Sequence, residues 1–520
     1  MSGGVATLVK HVTREDLVVQ AGALLGSRWR LALVAAHEDP HEFRVVYTFL
    51  RPADPPYELW VRVPADDAWV PTLAGVSFSG GRFEREMRDL YGIRPQGHPL
   101  PRRLVRHGHW PAGYYPMLRG ADAHPTFADD VGSYPFVQVG GGGVYEIPVG
   151  PVHAGLIEPG HFRFSVVGET IVRLKARLWF LHRGVEKLFE GRMPQDGIEL
   201  AERISGDTAV GHTLAYAMAV EQAAGLVVTP EVRVARALLL ELERIHNHVS
   251  DLGAIVNDVG YSIIHMHTQH LREQLLRHNK HVTGHRLLRG AITIGGTRLV
   301  GEPDLELVQE VATRAAELVA IALDNSGVLD RLTGTAVLDT EQARLLGTLG
   351  YVARASGLHT DARLDHPFLP LPELPGGFVP ATQDTGDVLA RFLVRAEEVT
   401  TSAALVAALA GAARNQPPDS DDLGDLGGRE VPLPLRAADG DESGVESGPT
   451  RHGLGIVEAW RGMLVHRVEL ARDGTLSRVK VVDPSFVNWP AVPVALAETI
   501  VPDFPLANKS FNQSYAGNDL

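Results

Sequence analysis

Strand-like and helix-like patterns follow each other closely in the first hundred residues. The segments 41–51 (HEFRVVYTFLR) and 57–65 (YELWVRVPA) are rich in Val, Tyr, Phe and Trp and are bounded by Pro and Asp, which predicts two strands. In 82–94 (RFEREMRDLYGIR) apolar residues recur at helical spacing with charges on the other face, and Gly92 is a helix stop signal. We therefore expect a small α+β domain over residues 1–119.

A larger domain with a different pattern is expected over residues 144–520. Its first part, 144–180, is typical of strands. Long helical patterns follow, of which 233–259 and 401–413 are the clearest. Strand-like sequence returns at 456–484. The predicted fold class is therefore α+β, with a small N-terminal α+β domain and a large, mostly helical domain that has β-rich rims.

Two segments interrupt these patterns. Residues 120–143 contain Gly, Asp and Pro throughout and end in four consecutive glycines, which predicts a linker. Residues 416–450 hold nine Asp or Glu and two Arg, so this segment carries −7 of the net charge of −14. Its low hydrophobicity predicts a disordered, solvated insertion within the larger domain. The folded part is then less acidic than the total charge suggests.

Composition excludes several classes of protein. With 44% hydrophobic and 22% charged residues, the 520-residue chain can bury a sizeable core. The net charge of −14 argues against nucleic-acid binding. No stretch of about 18 uncharged apolar residues is present, so no membrane span is expected. Cysteine is absent, which excludes disulfides, thiolate nucleophiles and iron–sulfur clusters ligated by this chain.

Two polar clusters could carry chemistry. One is a loop expected between strands, 150–164 (GPVHAGLIEPGHFRF), which contains His153, Glu158 and His161. These side chains can transfer protons if the loop lines a dry cleft. They are also common in an ordinary solvated turn, so both interpretations stay open. The segment 202–208 (ERISGDT) is polar and precedes an apolar helical pattern, so its Ser or Asp could equally be a helix N-cap.

Histidines form a third candidate group. His267 and His270 are three residues apart, on one helical face, as a metal pair requires. No carboxylate stands at matching spacing and no HExxH motif occurs, so surface or hydrogen-bonded histidines are the favoured interpretation. A phosphate-binding P-loop is also missing from the sequence.

Taken in order, the motifs resemble a known family, the large subunits shared by respiratory complex I and energy-converting membrane-bound nickel–iron hydrogenases. FEREMRDLYGIRPQGHPLPRRL (83–104) is similar to the signature of the C-type protein of complex I. The motifs similar to the D-type protein in its hydrogenase-like form are GPVHAGLIEPGHFRF, LHRGVEKL (181–188), the segment that begins ERISGDT, LELERIHNHVSDLGA (240–254), VEAWRG (457–462) and NWP (488–490). The resemblance implies a fused C–D protein.

The resemblance also shows where this chain departs from the hydrogenases. In those proteins two cysteine pairs hold nickel and iron. The match puts Ser205 and Thr208 at the first pair, and Ser514 and Gly517 at the second. A neutral hydroxyl is a poor nickel ligand and glycine offers none, so the resemblance implies that this chain binds no metal and no other cofactor of its own.

In complex I the corresponding cavity holds a quinone headgroup. The match puts Gly206 where complex I has a quinone-binding tyrosine, and Tyr515 is a candidate replacement phenol. Glu158 matches the hydrogenase glutamate that passes protons to and from the metal, and His153 lies in the same cavity-lining loop.

Further residues receive roles from the resemblance. His248 matches a histidine near the terminal iron–sulfur cluster of a partner protein, and Arg203 and Arg461 match arginines that line the cavity. Together with Glu158, three residues are candidate proton carriers: His161, Asp207 and His248.

The implied function is that of a large peripheral subunit of a membrane-bound oxidoreductase. Electrons would pass from iron–sulfur clusters of a partner small subunit to a quinone-like acceptor, with coupled proton transfer. Integral, proton-translocating subunits would hold the chain at the cytoplasmic face of the membrane. A redox-inactive scaffold that couples such membrane subunits to another reaction is the alternative. A working formate hydrogenlyase or hydrogenase is the least favoured, because cysteine is absent.

Overall fold

The N-terminal part of the computed structural model combines a mixed sheet with two helices. The structure describes residues 7–129, 134–155, 157–414 and 451–520. The first elements are β1 (Leu8–Val12), α1 (Arg14–Gly26), β2 (Arg30–Asp39), β3 (Glu42–Leu50), β4 (Tyr57–Pro64), β5 (Trp69–Pro71), α2 (Phe78–Tyr91) and β6 (Arg94–Gln96). The main sheet has the order β1-β4-β3-β2, with β1 parallel to β4 and the other neighbours antiparallel. The strands predicted at 41–51 and 57–65 are thus confirmed as β3 and β4.

Helix α2 includes most of the segment predicted to be helical and begins four residues earlier. Ser77 caps it, because the serine Oγ accepts a hydrogen bond of 3.1 Å from the amide of Gly80. Gly92 ends it in the left-handed conformation, with φ of +80°. A Cβ at Gly92 would lie 2.8 Å from the ring of Tyr115, so glycine is required there for space as well as for backbone angle.

A three-stranded antiparallel sheet opens the larger part of the chain. Its strands are β7 (Val144–Val149), β8 (His161–Val167) and β9 (Thr170–Arg177), in the order β7-β8-β9. The connection between β7 and β8 is the candidate loop, which this sheet fixes at both ends. The predicted strands between 144 and 180 are therefore confirmed.

Helices form the central body, as predicted. They are α3 (Val185–Phe189), α4 (Gly197–Ala201), α5 (Ala209–Ala224), α6 (Pro230–Asn257), α7 (Ser262–Thr283), α8 (Leu305–Asp324), α9 (Ser326–Leu332), α10 (Thr340–Leu346), α11 (Gly350–Ala355), α12 (Ala362–Asp365) and α13 (Val388–Arg414), with a short hairpin of β10 (Ile292–Thr293) and β11 (Gly296–Thr297) after α7. The two longest helices, α6 and α13, pack against each other. The helical patterns at 233–259 and 401–413 belong to this pair.

A second three-stranded antiparallel sheet follows the helices. It consists of β12 (Arg451–Ala459), β13 (Gly462–Leu470) and β14 (Leu476–Val482), and four short helices complete the chain: α14 (Pro484–Asn488), α15 (Ala491–Ala495), α16 (Phe504–Phe511) and α17 (Tyr515–Asp519). Helix α5 lies directly on β12, where a Cβ at Gly455 would overlap the carbonyl of Ala215. This close approach brings the N-terminus of α5 beside the turn between β12 and β13.

Buried ion pairs join the N-terminal part to the last sheet. Two start from the N-terminal sheet, Arg44–Glu469 (2.6 Å) and Glu58–Arg467 (2.8 Å), and a third starts from α2, Glu86–Lys480 (2.7 Å). The N-terminal part therefore packs against a sheet that lies some 400 residues later in the sequence.

The α+β fold class is confirmed, whereas the predicted domain boundaries stay predictions. Within the described residues of the predicted linker 120–143, no helix or strand is present. The predicted insertion 416–450 lies outside the described residues. None of the helices in the described ranges is both long enough and apolar enough to cross a membrane.

Candidate functional site

The segment before α5 and the segment before α17 meet through two serines. The Oγ of Ser205 lies 2.8 Å from the Oγ of Ser514, and both side chains are almost completely buried. Ser514 is also the N-cap of α17, because its Oγ accepts a hydrogen bond of 2.9 Å from the amide of Gly517. The fold thus brings one position from each matched cysteine pair into direct contact.

A carboxylate–guanidinium pair completes this hydroxyl cluster. Asp207 accepts hydrogen bonds from the hydroxyls of Ser205 (2.9 Å) and Thr208 (3.0 Å). Arg461, from the turn between β12 and β13, binds both carboxylate oxygens at 2.6 and 2.7 Å. Burial would raise the pKa of Asp207, but Arg461 outweighs this effect and holds that pKa well below its usual range. Asp207 is therefore ionised at neutral pH.

Exposure differs sharply within the cluster. The Asp207 side chain is 40% exposed, whereas that of Arg461 is only 4% exposed. Gly206, at the position of the complex I tyrosine, is exposed, and a Cβ there would meet only the Nη2 of Arg289, at 3.9 Å. Asp207 and Gly206 therefore form the accessible face of the site.

The fourth matched cysteine position is closed by a carboxylate. A Cβ at Gly517 would lie only 2.5 Å from Oδ2 of Asp483. Asp483 is fixed there by His212, whose Nε2 lies 3.0 Å from the same oxygen, and by the amide of Ser485, which donates a hydrogen bond of 2.7 Å. The donor set is therefore two serines and a threonine that hydrogen-bond within the cluster, and a glycine without space for a side chain. These residues do not fit a nickel–iron group.

Metal-ligand geometry is also missing elsewhere in the ranges that the structure describes. No group of three or more His, Asp or Glu side chains is arranged there to hold an ion. His267 and His270 both lie on α7, as their helical spacing predicted.

Glu158 reaches the C-terminal segment from the loop between β7 and β8. Its Oε2 accepts a hydrogen bond of 3.0 Å from the amide of Ala516, in the first turn of α17. The two histidines form hydrogen bonds with backbone carbonyls at the two ends of the loop. His153 Nε2 lies 2.7 Å from the carbonyl oxygen of Gly160, and His161 Nδ1 lies 3.3 Å from that of Gly150. Both histidines thus hold the loop that carries Glu158.

Tyr515 lies beneath this loop. Its ring packs against Trp489, with centroids 4.8 Å apart, and a Cβ at Gly160 would lie 2.5 Å from the ring. Burial raises the pKa of Tyr515 to about 12. The phenol is therefore next to Ser514 in sequence but is covered by the loop, and its role as a replacement for the complex I tyrosine stays a prediction.

Arg203 is not part of the cluster, although the resemblance implies a cavity-lining arginine there. It follows α4, and its guanidinium pairs at the surface with Glu199, four residues earlier, at 2.7 Å. The side chain is 49% exposed. Helical geometry turns it toward solvent, whereas Ser205 turns inward.

His248 lies in the interior of this chain. The side chain is completely buried, with Nε2 2.7 Å from Glu398. Its position near a partner's iron–sulfur cluster, which the resemblance implies, stays a prediction. Its ring meets Trp460 edge-on, at 5.9 Å between centroids. Because α6 packs against α13 along this face, His248 has no surface that a partner could contact directly.

Sequence reasoning missed Asp483, His212 and Trp460. Asp483 precedes Pro484, which indicates a helix N-cap, and it is one, but nothing local shows that it also fills the space beside Gly517. The indole of Trp460 donates a hydrogen bond of 3.0 Å to Thr208. His212 carried a usable signal, since it stands one helical turn after Thr208.

Three family models match consecutive parts of the chain. Residues 11–126 match the 30 kDa subunit of respiratory-chain NADH dehydrogenase, residues 183–252 match nickel-dependent hydrogenase, and residues 258–519 match the 49 kDa subunit of respiratory-chain NADH dehydrogenase.

Curated relatives include both types of protein. Formate hydrogenlyase subunit 5 of Escherichia coli is 33% identical over 448 residues, which cover 84% of this chain and 74% of that protein. The fused C/D protein of NADH-quinone oxidoreductase from Phocaeicola vulgatus is 30% identical over 358 residues, which cover 64% of this chain and 68% of that protein. The names of both relatives describe subunits of oxidoreductases.

A solved structure shares the fold. It is a chain of the membrane-bound sulfane sulfur reductase, described as an archaeal respiratory membrane complex. The TM-score is 0.62 at 24% sequence identity, and the match covers 72% of this chain and 98% of that one.

Proposed function

Because this chain belongs to the large-subunit family that respiratory-chain NADH dehydrogenase shares with membrane-bound hydrogenases, we propose that it is a peripheral electron-transfer subunit of a membrane-bound oxidoreductase. Electrons pass from iron–sulfur clusters of a partner small subunit to a quinone-like acceptor, and proton transfer is coupled to this step. Integral membrane subunits that translocate protons hold the chain at the cytoplasmic face of the membrane.

The contact between Ser205 and Ser514 carries this proposal. The two segments that would supply metal ligands still meet, but their hydroxyls bond each other at 2.8 Å. What remains accessible is the carboxylate of Asp207, oriented by Arg461. A carboxylate held in place in this way can accept a hydrogen bond from an organic headgroup, such as a quinone, as that headgroup is reduced.

The chain's own groups then have distinct roles. Asp207 stays ionised, so its carboxylate accepts a hydrogen bond from a hydroxyl of the reduced headgroup rather than carrying a proton. Reduction of a quinone by two electrons takes up two protons. We assign their delivery to Glu158, which contacts the same C-terminal segment, and to His161 at the start of β8, which lies 3.3 Å from the loop carbonyl of Gly150.

The test uses the native complex with its small subunit. Metal content and the EPR spectrum of the clusters are measured first, and then reduction of a short-chain quinone. We expect Asp207→Asn to lower quinone turnover at least tenfold, because the neutral amide loses both the charge and the paired contact to Arg461. Glu199→Gln, at an exposed site away from the cluster, is the matched control and should leave turnover unchanged.

Two results would contradict the proposal. Nickel at stoichiometric level would restore the hydrogenase interpretation. Clusters that become reduced without passing electrons to any quinone would favour the redox-inactive scaffold.

A further inference from the structure

Two arginines beside the hydroxyl cluster have no partner. Arg272 lies on α7, and Arg289 lies in the connection between α7 and the short hairpin. Both side chains are half-buried, and the Nε of each is buried without a hydrogen bond. Across the part of the chain that the structure describes, neither guanidinium takes part in an ion pair or hydrogen bond.

The carboxylates near Arg272 are already engaged. Asp207 is bound by Arg461. Glu273, next to Arg272 in sequence, forms hydrogen bonds with Arg286 at 2.6 Å and with Arg277 at 2.8 Å. Burial and the charge of Arg286 lower the pKa of Arg272, and the charges of Asp207, Asp251 and Glu273 offset only part of this effect. Asp251 is itself bound by Arg395, at 3.0 Å. Each of these three carboxylates is therefore paired with an arginine other than Arg272.

Glu202 is the carboxylate that faces Arg289. Its Oε1 accepts a hydrogen bond from the amide of Gly290 instead of from the guanidinium. Burial raises the pKa of Glu202, and the hydrogen bond from Gly290 and the charges of Arg203 and Arg289 offset only part of this effect. Within the described residues, Glu202 forms no ion pair with Arg289.

Arg289 flanks an open position. Its Nη2 lies 3.9 Å from where a Cβ of Gly206 would be, and nothing else lies within 4 Å of that point. Arg272 adds a second positive charge whose pKa responds to Asp207. The unpartnered guanidinium of Arg289 thus borders the accessible face of the candidate site.

We propose that Arg289 binds a small anion, a carboxylate or an oxyanion, at the open position beside Gly206, and that the positive charge of Arg272 supports this binding. Guanidinium groups hold such anions through paired, charge-assisted hydrogen bonds. An anion would also supply the counter-charge that these partly desolvated cations lack. Binding can be measured without turnover, so its failure and a failure of electron transfer are distinguishable.

The first test is calorimetric titration of the full chain with sodium formate and, separately, with inorganic phosphate, at constant ionic strength set by chloride. We expect saturable binding of at least one probe. Arg289→Gln should raise the Kd at least tenfold, because the guanidinium at the open position is lost. Arg314→Gln, on α8 and with a side chain that is 61% exposed, should leave the Kd unchanged.

A pair of variants at Gly206 gives a second, independent test. The site has ordinary backbone angles and open space, so both variants should fold. Gly206→Glu places a carboxylate within reach of Arg289 and should abolish binding by internal competition. Gly206→Gln has nearly the same shape without the charge and should retain it.

Three results would overturn the proposal. The first is an absence of saturable binding of either probe to the unmodified chain, and the second is equal binding by the two Gly206 variants. The third is loss of binding in the presence of the small subunit, which would show that the arginines face a protein carboxylate instead.

Discussion

Ser205 and Ser514 stand 309 positions apart in the sequence and share one hydrogen bond of 2.8 Å. With Thr208 and Asp207 they form a cluster in which each hydroxyl has a partner. These hydroxyl oxygens are neutral, hard ligands that suit nickel poorly, and each already takes part in a hydrogen bond. At the scale of single residues, the site is therefore a hydrogen-bonded polar cluster.

Gly517 stands at the fourth matched cysteine position, where Asp483 leaves no space for a side chain. We expect Gly517→Ala to lower the free energy of unfolding by about 1–3 kcal/mol, because the new methyl group would overlap the carboxylate of Asp483. Urea denaturation measures the change. Gly411→Ala is the matched control: it lies within α13 with open space around it, and it should stabilise the protein by about 0.5–1 kcal/mol. Equal effects of the two substitutions would contradict the close contact.

At the scale of elements, the loop between β7 and β8 reaches α17 through a hydrogen bond of Glu158, besides the packing of Gly160 against Tyr515. The carboxylate of Glu158 accepts a hydrogen bond from the amide of Ala516. This amide lies in the first turn of α17, so it has no acceptor within the helix. The loop and the helix therefore support each other, and both border the candidate site.

Hydrogen–deuterium exchange can test this attachment. We expect Glu158→Ala to speed exchange of the Ala516 amide about fivefold, since the lost hydrogen bond is worth about 1 kcal/mol. Glu158→Gln keeps an acceptor oxygen and should preserve protection. The amide of Gly517, which donates to Ser514, is an internal reference within the same helix. Unchanged exchange at Ala516 in the alanine variant would show that the contact does not form in solution.

Elements were easier to predict from the sequence than their contacts. The apolar period over 233–259 predicted α6 to within a few residues of its bounds, because one helical face is buried along its whole length. The contact of Asp207 with Arg461 spans 254 positions and could be inferred only from the family resemblance, which the comparisons confirm. The surface position of Arg203 could not be predicted, because it depends on where α4 ends.

At the scale of the whole molecule, the first and last sheets are joined by buried charges. Glu58 and Glu469 both face Arg467, and all three side chains are at most 3% exposed. Buried ion pairs of this kind contribute little net stability, but the loss of one partner is costly because the others stay charged without compensation. The junction therefore depends on each member.

Substitution at the centre of this junction should have a large effect. We expect Arg467→Ala to lower the free energy of unfolding by about 3–5 kcal/mol at pH 7, measured by urea denaturation. Arg62→Ala, which removes an exposed pair with Glu42 in the same N-terminal sheet, should cost less than about 1 kcal/mol.

Acid should reduce the loss of stability that Arg467→Ala causes. Burial alone would raise the pKa of Glu58, but Arg467 outweighs it, so the pKa lies below its usual value, and that of Glu469 is lowered further. Stabilisation from these groups is complete above the unfolded pKa of about 4.3 and is lost as the pH falls below it. The cost of Arg467→Ala should therefore shrink below that pH. A constant cost down to pH 3 would contradict the pairing.

The junction also has a consequence for synthesis on the ribosome. The first sheet emerges more than 350 residues before β13, yet Arg44 and Glu58 pair with Glu469 and Arg467 on that strand. Until release of the nascent polypeptide is nearly complete, these two ion pairs cannot form, and this face of the sheet stays hydrated. If the N-terminal sheet folds early, it therefore exposes charged side chains to solvent during synthesis. Water solvates charged side chains more favourably than apolar ones.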